Sequence, residues 1–267
     1  MPILHLVILA AVQGITEFLP VSSSGHLVLA PIFLGWPDQG LLIDVAVHVG
    51  TLFAVMAYLY RDVGAMLAGI GRTLKGRRDP GARLFMLLVI GTIPVVGAGF
   101  ALQHYAPNMF RSMEVIAWAT LGFGIVLWIA DHVGMTVRRV EHLGVSDVIF
   151  IGVAQCLALI PGTSRSGITM TAGRFIGMER PDAARFSLLL SIPTIIAAGT
   201  LSGIEIYESG NVQLANDAFV AAGLSFVFAL IAIALMMAWL RRASFAPFVV
   251  YRIILGGFLL AVAYGLL

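Results

Sequence analysis

Two short polar segments hold the residue types that could do chemistry in this chain. The first reads Gln13-Gly-Ile-Thr-Glu17-Phe-Leu-Pro20-Val-Ser22-Ser23-Ser24-Gly25-His26. Gln13 and Glu17 stand at i, i+4, so on a helix their side chains share a face and can converge on one ligand or ion. Glu17 lies deep in an apolar stretch, where a carboxylate is expensive unless it is paired or bound to a cation. A Glu that only packed a helix end would not need the three hydroxyls and the imidazole that follow. The second segment reads Pro161-Gly-Thr163-Ser164-Arg165-Ser166-Gly167-Ile-Thr169. An Arg flanked by Ser and Thr offers a planar fork for two phosphate oxygens, and the glycines let backbone N–H groups turn toward an anion. A helix expected to start just after Gly167 adds its positive end. The plainer role for Arg165 is to neutralise Glu17, and the two roles are compatible.

Glu, three serines, His and Arg together suit phosphoryl transfer. Arg165 and backbone amides would spread the charge of the transferring group. A serine could attack phosphorus and be released by water, with Glu17 or His26 moving protons. Alternatively Glu17 ligates a divalent cation such as Mg²⁺, which favours carboxylate and phosphate oxygens together. The residues leave both routes open. Asp44 and His48, also at i, i+4, could assist from behind or simply cap and pack. His5, His104, His132 and His142 fall near segment ends, and Glu114, Asp131 and Asp147 read as helix-terminal residues.

The elements that must position these residues are membrane helices. Of 267 residues, 60% are apolar and 11% charged, against roughly 25% charged in a soluble domain. Thirty charged side chains cannot coat a soluble protein of this size, so the chain reads as one membrane domain spanning residues 1–267. A net charge of +2 in such a chain reports topology, and no nucleic-acid partner is expected. The single Cys156 excludes an intramolecular disulfide and a cysteine-based zinc site. No basic leader precedes the first apolar run, so Met1 onward is expected to stay in the mature protein.

Apolar runs near the roughly 20 residues a crossing needs cover about 41–60, 84–103, 114–131, 183–203, 217–239 and 244–267, which predicts six full transmembrane helices. Two further runs, about 3–34 and 146–178, are interrupted at Pro20–Gly25 and Pro161–Gly167, as in discontinuous or re-entrant helices. Basic residues concentrate in 61–83, at Arg138/Arg139, Arg180/Arg185 and Arg241/Arg242, which places those connections in the cytoplasm. The topology closes only if both broken runs are hairpins, the first entered from outside and the second from inside. At an offset of 142 residues, Gln13 falls on Gln155, Ser22 on Ser164, Ser24 on Ser166 and Gly25 on Gly167. The expectation is therefore an all-α integral membrane protein with an inverted-topology repeat, about 1–131 and about 143–267, whose breaks meet near the midplane.

These two segments resemble the signature motifs of the bacterial undecaprenyl-diphosphate phosphatase family, the bacitracin-resistance type, and the apolar architecture is similar along essentially the whole chain. The resemblance implies interlocked inverted repeats with re-entrant helix pairs, in a multi-pass protein of the bacterial cytoplasmic (inner) membrane. It implies hydrolysis of undecaprenyl diphosphate to the monophosphate and inorganic phosphate, recycling the carrier lipid for peptidoglycan synthesis and conferring bacitracin resistance. A divalent cation, Mg²⁺ or Ca²⁺, is the implied cofactor. The roles it suggests are Ser23 as nucleophile, Glu17 as metal ligand or base, His26 as proton carrier and Arg165 as phosphate clamp. Gln13, Ser22, Ser24, Ser164, Ser166 and Thr169 would bind the polyprenyl diphosphate. The family accepts Glu or Gln at the first acidic position; Gln13 leaves Glu17 to carry the ionic part alone or with Asp44. The alternative is a transporter or flippase of a polyprenyl-phosphate-like anionic lipid, for which the Ser23–His26–Glu17 cluster would be surplus.

Overall fold

Long apolar runs punctuated by Pro, Gly and Ser fold into a bundle of long helices and broken ones. The computed structural model describes residues 2–36, 40–105, 110, 112–209 and 215–266. Its helices are α1 (Ile3–Thr16), α2 (Ser23–Leu34), α3 (Leu41–Tyr58), α4 (Tyr60–Thr73), α5 (Pro80–Tyr105), α6 (Met113–Val133), α7 (Val145–Gln155), α8 (Arg165–Phe175), α9 (Arg180–Ser209), α10 (Ala215–Leu240) and α11 (Ala246–Ala263). Among the described residues no strand forms beyond an isolated bridge between Arg138 and Met178. Among the described residues five helices are long and apolar enough to cross a membrane, and a sixth if α3 and α4 count as one bent span. The protein is a multi-pass, all-helical membrane protein.

The connection 61–83 departs from expectation. It contains a helix, α4, which leaves α3 at an angle of 83°. Met66 and Gly69 of α4 are buried, whereas Arg61 and Arg72 remain exposed. A basic, two-faced helix of this kind has too little apolar content to register as a span, and its charge made the segment read as a loop.

The two interrupted runs form helices too short to span alone. α1 and α2 have 14 and 12 residues, α7 and α8 have 11 each, against the roughly 20 a crossing needs. Between them the backbone leaves the helix at 17–22 and again at 160–164.

α10 packs along both α1 and α3, α11 along α6, and α7 and α9 against α5. Small residues permit the closest crossings: a Cβ on Gly50 of α3 would strike the Ala222 carbonyl of α10, the device by which membrane helices gain contact without a hydrophobic drive. At one end, Arg185 joins Asp62 to Glu141, and Arg138 pairs with Asp147 at 2.5 Å. Asp131 at the end of α6 holds Arg174 at 3.2 Å and Arg180 at 2.7 Å. The basic segments 61–83, Arg138/Arg139 and Arg180/Arg185 are thus tied together there.

Candidate active site

Glu17 caps the C-terminal end of α1 and is only 6% exposed. Its burial is possible because donors surround it. Gln13 Nε2 donates to Oε2 at 2.9 Å, one turn back on the same helix as the i, i+4 spacing requires. Ser23 Oγ donates to the same oxygen at 2.6 Å, and Arg165 Nη2 donates to Oε1 at 2.9 Å. His48 Nε2 approaches Oε2 at 3.7 Å. His48 Nδ1 lies 2.6 Å from the Asp44 carbonyl, which can only accept; Nδ1 therefore carries the proton, and in the neutral ring Nε2 offers a lone pair. The carboxylate thus holds the Ser23 hydroxyl by an oxygen that can accept its proton.

The two breaks use the same backbone device. Ser22 and Ser164 have φ of 78° and 72°, the only described non-glycine residues with positive φ, a conformation that concentrates at functional sites. Each turn launches a helix, α2 at Ser23 and α8 at Arg165, so that both side chains leave a helix N-terminus beside Glu17. Ser164 Oγ accepts from the Gly167 amide at 3.1 Å, capping α8. The Ser22 and Ser24 hydroxyls are 3.4 Å apart and those of Ser164 and Ser166 are 3.1 Å apart. Ser166 Oγ also donates to the Leu19 carbonyl at 2.8 Å, joining the second break to the first.

These groups open into a cavity of about 350 Å³. Glu17, Ser23, Ser24, Asp44, His48, Ser164, Arg165 and Thr194 supply its polar wall, and Val45, Ala158, Ile195 and Ala198 its apolar one. Arg165 keeps Nη1 buried and unpartnered. One arm of its guanidinium holds Glu17, and the other is a free donor of the kind an anion could take.

The remaining predicted site residues sit behind this wall. Gln13 and Ser22 are buried under it. Thr169 is buried between helices, sharing a 2.7 Å hydrogen bond with Ser187 of α9. His26 is engaged at both nitrogens, Nδ1 with the Ser22 carbonyl at 2.6 Å and Nε2 with the Tyr251 hydroxyl at 2.5 Å. It supports the first break and does not line the cavity. Asp44 and His48, weighed in the sequence as assistants or packing residues, do line it.

Arg252 escaped sequence analysis altogether. It is fully buried on α11, and its guanidinium donates to five carbonyls: Pro20 at 3.3 Å, Gly162 at 2.9 Å, Thr163 at 2.8 Å, Ala119 at 3.3 Å and Thr120 at 3.0 Å. It staples both breaks to α6. A lone Arg inside the apolar run 244–267 was the available signal, since an intramembrane charge is costly wherever it occurs.

Among the described residues no group of three or more His, Cys, Asp or Glu side chains is arranged to hold a metal ion. Gln13 Oε1 is nevertheless buried and unpartnered beside Glu17. That oxygen and the carboxylate are hard oxygen donors of the kind a divalent cation such as Mg²⁺ would need.

Residues 6–258 match the family model of bacitracin resistance protein BacA. The chain belongs to this family. Undecaprenyl-diphosphatase 1 of Rhodospirillum rubrum is 52% identical to this BacA-family chain over 271 residues, covering 99% of it and 96% of the relative. Undecaprenyl-diphosphatase of Ruegeria pomeroyi is 52% identical over 266 residues, covering 99% and 100%. Undecaprenyl-diphosphatase of Chromohalobacter salexigens is 48% identical over 254 residues, covering 95% and 96%.

Proposed function

We propose that this protein is an undecaprenyl-diphosphatase, removing the terminal phosphate of undecaprenyl diphosphate and returning the carrier lipid monophosphate to cell-wall synthesis. The observation that carries the reading is the Ser23 hydroxyl donating to Glu17 at 2.6 Å, with Arg165 on the carboxylate's other oxygen, in a cavity with one polar and one apolar wall. A site that only bound an anionic lipid would have no use for a hydroxyl held against a base. Close full-length relatives bear that enzyme's name.

In the proposed reaction Ser23 Oγ attacks the terminal phosphorus as its proton passes to Glu17. The Oγ–P bond forms, the bridging P–O bond breaks, and undecaprenyl phosphate leaves. Water then attacks phosphorus, the Oγ–P bond breaks, inorganic phosphate leaves, and Ser23 is reprotonated. Arg165, through Nη1, and the N-terminal amides of α2 and α8 stabilise the transferring charge. His48 Nε2, with its lone pair near Glu17, accepts or relays the proton. Glu17 with Gln13 Oε1 would hold a divalent cation, Mg²⁺ or Ca²⁺, which when bound offsets the diphosphate charge.

The topology belongs to the same reading. The α1–α2 and α7–α8 pairs are re-entrant hairpins of an inverted repeat in the bacterial cytoplasmic membrane, meeting where the site lies. The equivalent left-handed serines, 142 residues apart, support this arrangement. The test is phosphate release from undecaprenyl diphosphate by purified protein in detergent, where no compartments exist. Turnover by the parent that is lost in Ser23→Ala and Arg165→Ala supports the enzyme. Substrate-dependent flux confined to sealed vesicles, with no phosphate released in detergent, would establish transport in its place.

A further inference from the structure

A second cavity, of about 800 Å³, lies at the end of the molecule where Arg185 joins Asp62 to Glu141, and it shares no lining residue with the first. Its volume is within the range of small-molecule pockets. Met86, Leu87 and Ile90 of α5 with Val145 of α7 give it an apolar floor, and Arg78, Asp79, Arg83 and Glu141 give it a charged rim.

The rim is biased toward anions. Asp79 is already held by Arg72 at 2.5 Å and by the Gly81 amide at 2.8 Å, and the Arg72 guanidinium keeps its carboxyl below the usual carboxylate range. Glu141 is paired with Arg185 at 3.0 Å. Arg83 donates to the backbone carbonyls of Glu141 at 3.4 Å and Leu143 at 2.5 Å, contacts that leave its charge uncompensated. Arg78 is exposed and makes no hydrogen bond or ion pair with any described residue. Each acid of the rim thus already faces an arginine, Glu141 sharing Arg185 with Asp62, while neither cation of the rim faces a carboxylate among the described residues. Lys75 and Arg77 adjoin it in sequence and are exposed.

The place of the cavity fits the charge. It lies beside the C-terminal end of α4, which turns 83° away from α3, the attitude of a helix lying along a membrane surface. The basic connections put this surface on the cytoplasmic side, where anionic lipid headgroups face polybasic segments.

We propose that this cavity binds an anionic phospholipid of the cytoplasmic leaflet, its phosphate against Arg78 and Arg83 and one acyl chain along Met86, Leu87 and Ile90. A zwitterionic lipid brings its own cation to the rim and gains less.

Full-length protein reconstituted in vesicles of equal phosphatidylglycerol and phosphatidylcholine, then extracted in mild detergent, is read by native mass spectrometry for retained lipid. The parent is expected to retain phosphatidylglycerol preferentially. Arg78→Ala should lower that retention about fivefold, the worth of one cation at an anionic surface. Ile90→Trp fills the floor and leaves every cation in place, and it should lower retention to a similar degree. Phosphate release at the parent's rate shows that each variant is folded. Should Ile90→Trp fail to fold, Met86→Trp, at a 59% exposed position of the same floor, fills it instead and carries the same expectation. Equal retention of the two lipids by the parent, or unchanged retention in Arg78→Ala, overturns the proposal. So does loss in Arg78→Ala with full retention in the floor variant, which would mean attraction to a basic surface without a pocket.

Discussion

The two breaks are alike in backbone and unlike in side chains. Each turns through a serine of positive φ, brings that serine's hydroxyl toward another two residues on, and starts a helix. At the first position of those helices one break carries Ser23 and the other Arg165, 142 residues apart. Each donates to a different oxygen of the same carboxylate. The position matching Glu17 in the second break is Leu159. One backbone solution has thus been loaded with an acid and a hydroxyl on one side and with a cation on the other. Two acidic copies would repel, and two basic copies would hold phosphate with nothing to activate a nucleophile. The difference between the breaks is what makes a reaction possible where they meet.

The most severe way to break this division of labour is to remove the hydroxyl. Ser23→Ala should lower kcat by on the order of 10⁴-fold or more, as loss of a nucleophile does. Glu17 keeps Arg165 and Gln13, so thermal stability in detergent should hardly change. Residual turnover within tenfold of the parent would mean that water, not Ser23, attacks phosphorus.

On the second break, Arg165→Ala should cost about 10²–10³ in kcat, the usual loss for one preorganised charge-stabilising donor. It also leaves Glu17 buried without its cation, so the thermal midpoint falls. Arg165→Lys restores the charge but not the fork. It should recover the midpoint more fully than the rate. Equal recovery of both would mean that Arg165 serves only to neutralise Glu17.

The sequence made the site's two halves legible because they are polar interruptions in an apolar chain. Glu17 and Arg165 stood out by cost alone, and the 2.9 Å pair between them was weighed from sequence. Fold class was legible for the same reason. The α4 helix was not, because its charge masks its apolar face. Asp44 and His48 were ambiguous because their spacing fits packing as well as chemistry, and only the turn of α3 toward Glu17 decides. Arg174 and Arg252 were hidden differently. Arg174 lies near other basic residues and Arg252 inside a run that reads as an ordinary span, yet both are fully buried. What satisfies them is mostly backbone carbonyls from elements distant in sequence, and no local pattern encodes those.

Arg252 sharpens the comparison, since it holds both breaks at once. Arg252→Met removes five donated hydrogen bonds and leaves buried carbonyls unpaired, a loss of at least about 3 kcal/mol. The thermal midpoint should drop further than in Arg165→Ala, although Arg252 lies outside the cavity lining. Turnover should fall as the geometry between Ser23 and Arg165 loosens. A variant with the parent's midpoint would show that the breaks are fixed by their own turns.

The smallest expected effect isolates the side-chain cap that one turn has and the other lacks. Ser22→Gly and Ser164→Gly each relieve a positive φ and each add the same freedom to the unfolded chain. Each also removes one serine–serine contact. Those contributions cancel when the two variants are compared with each other. What remains is the Gly167 amide, which Ser164 Oγ caps at 3.1 Å in a buried helix start. Ser164→Gly should therefore be less stable than Ser22→Gly by about 1 kcal/mol, the cost of leaving one buried donor unpaired. Thermal midpoints measured in the same detergent read that difference directly. Equal midpoints would mean that the cap adds nothing and that the two turns are interchangeable in energy as well as in shape, with all of their functional difference residing in Ser23, Arg165 and the carboxylate they share.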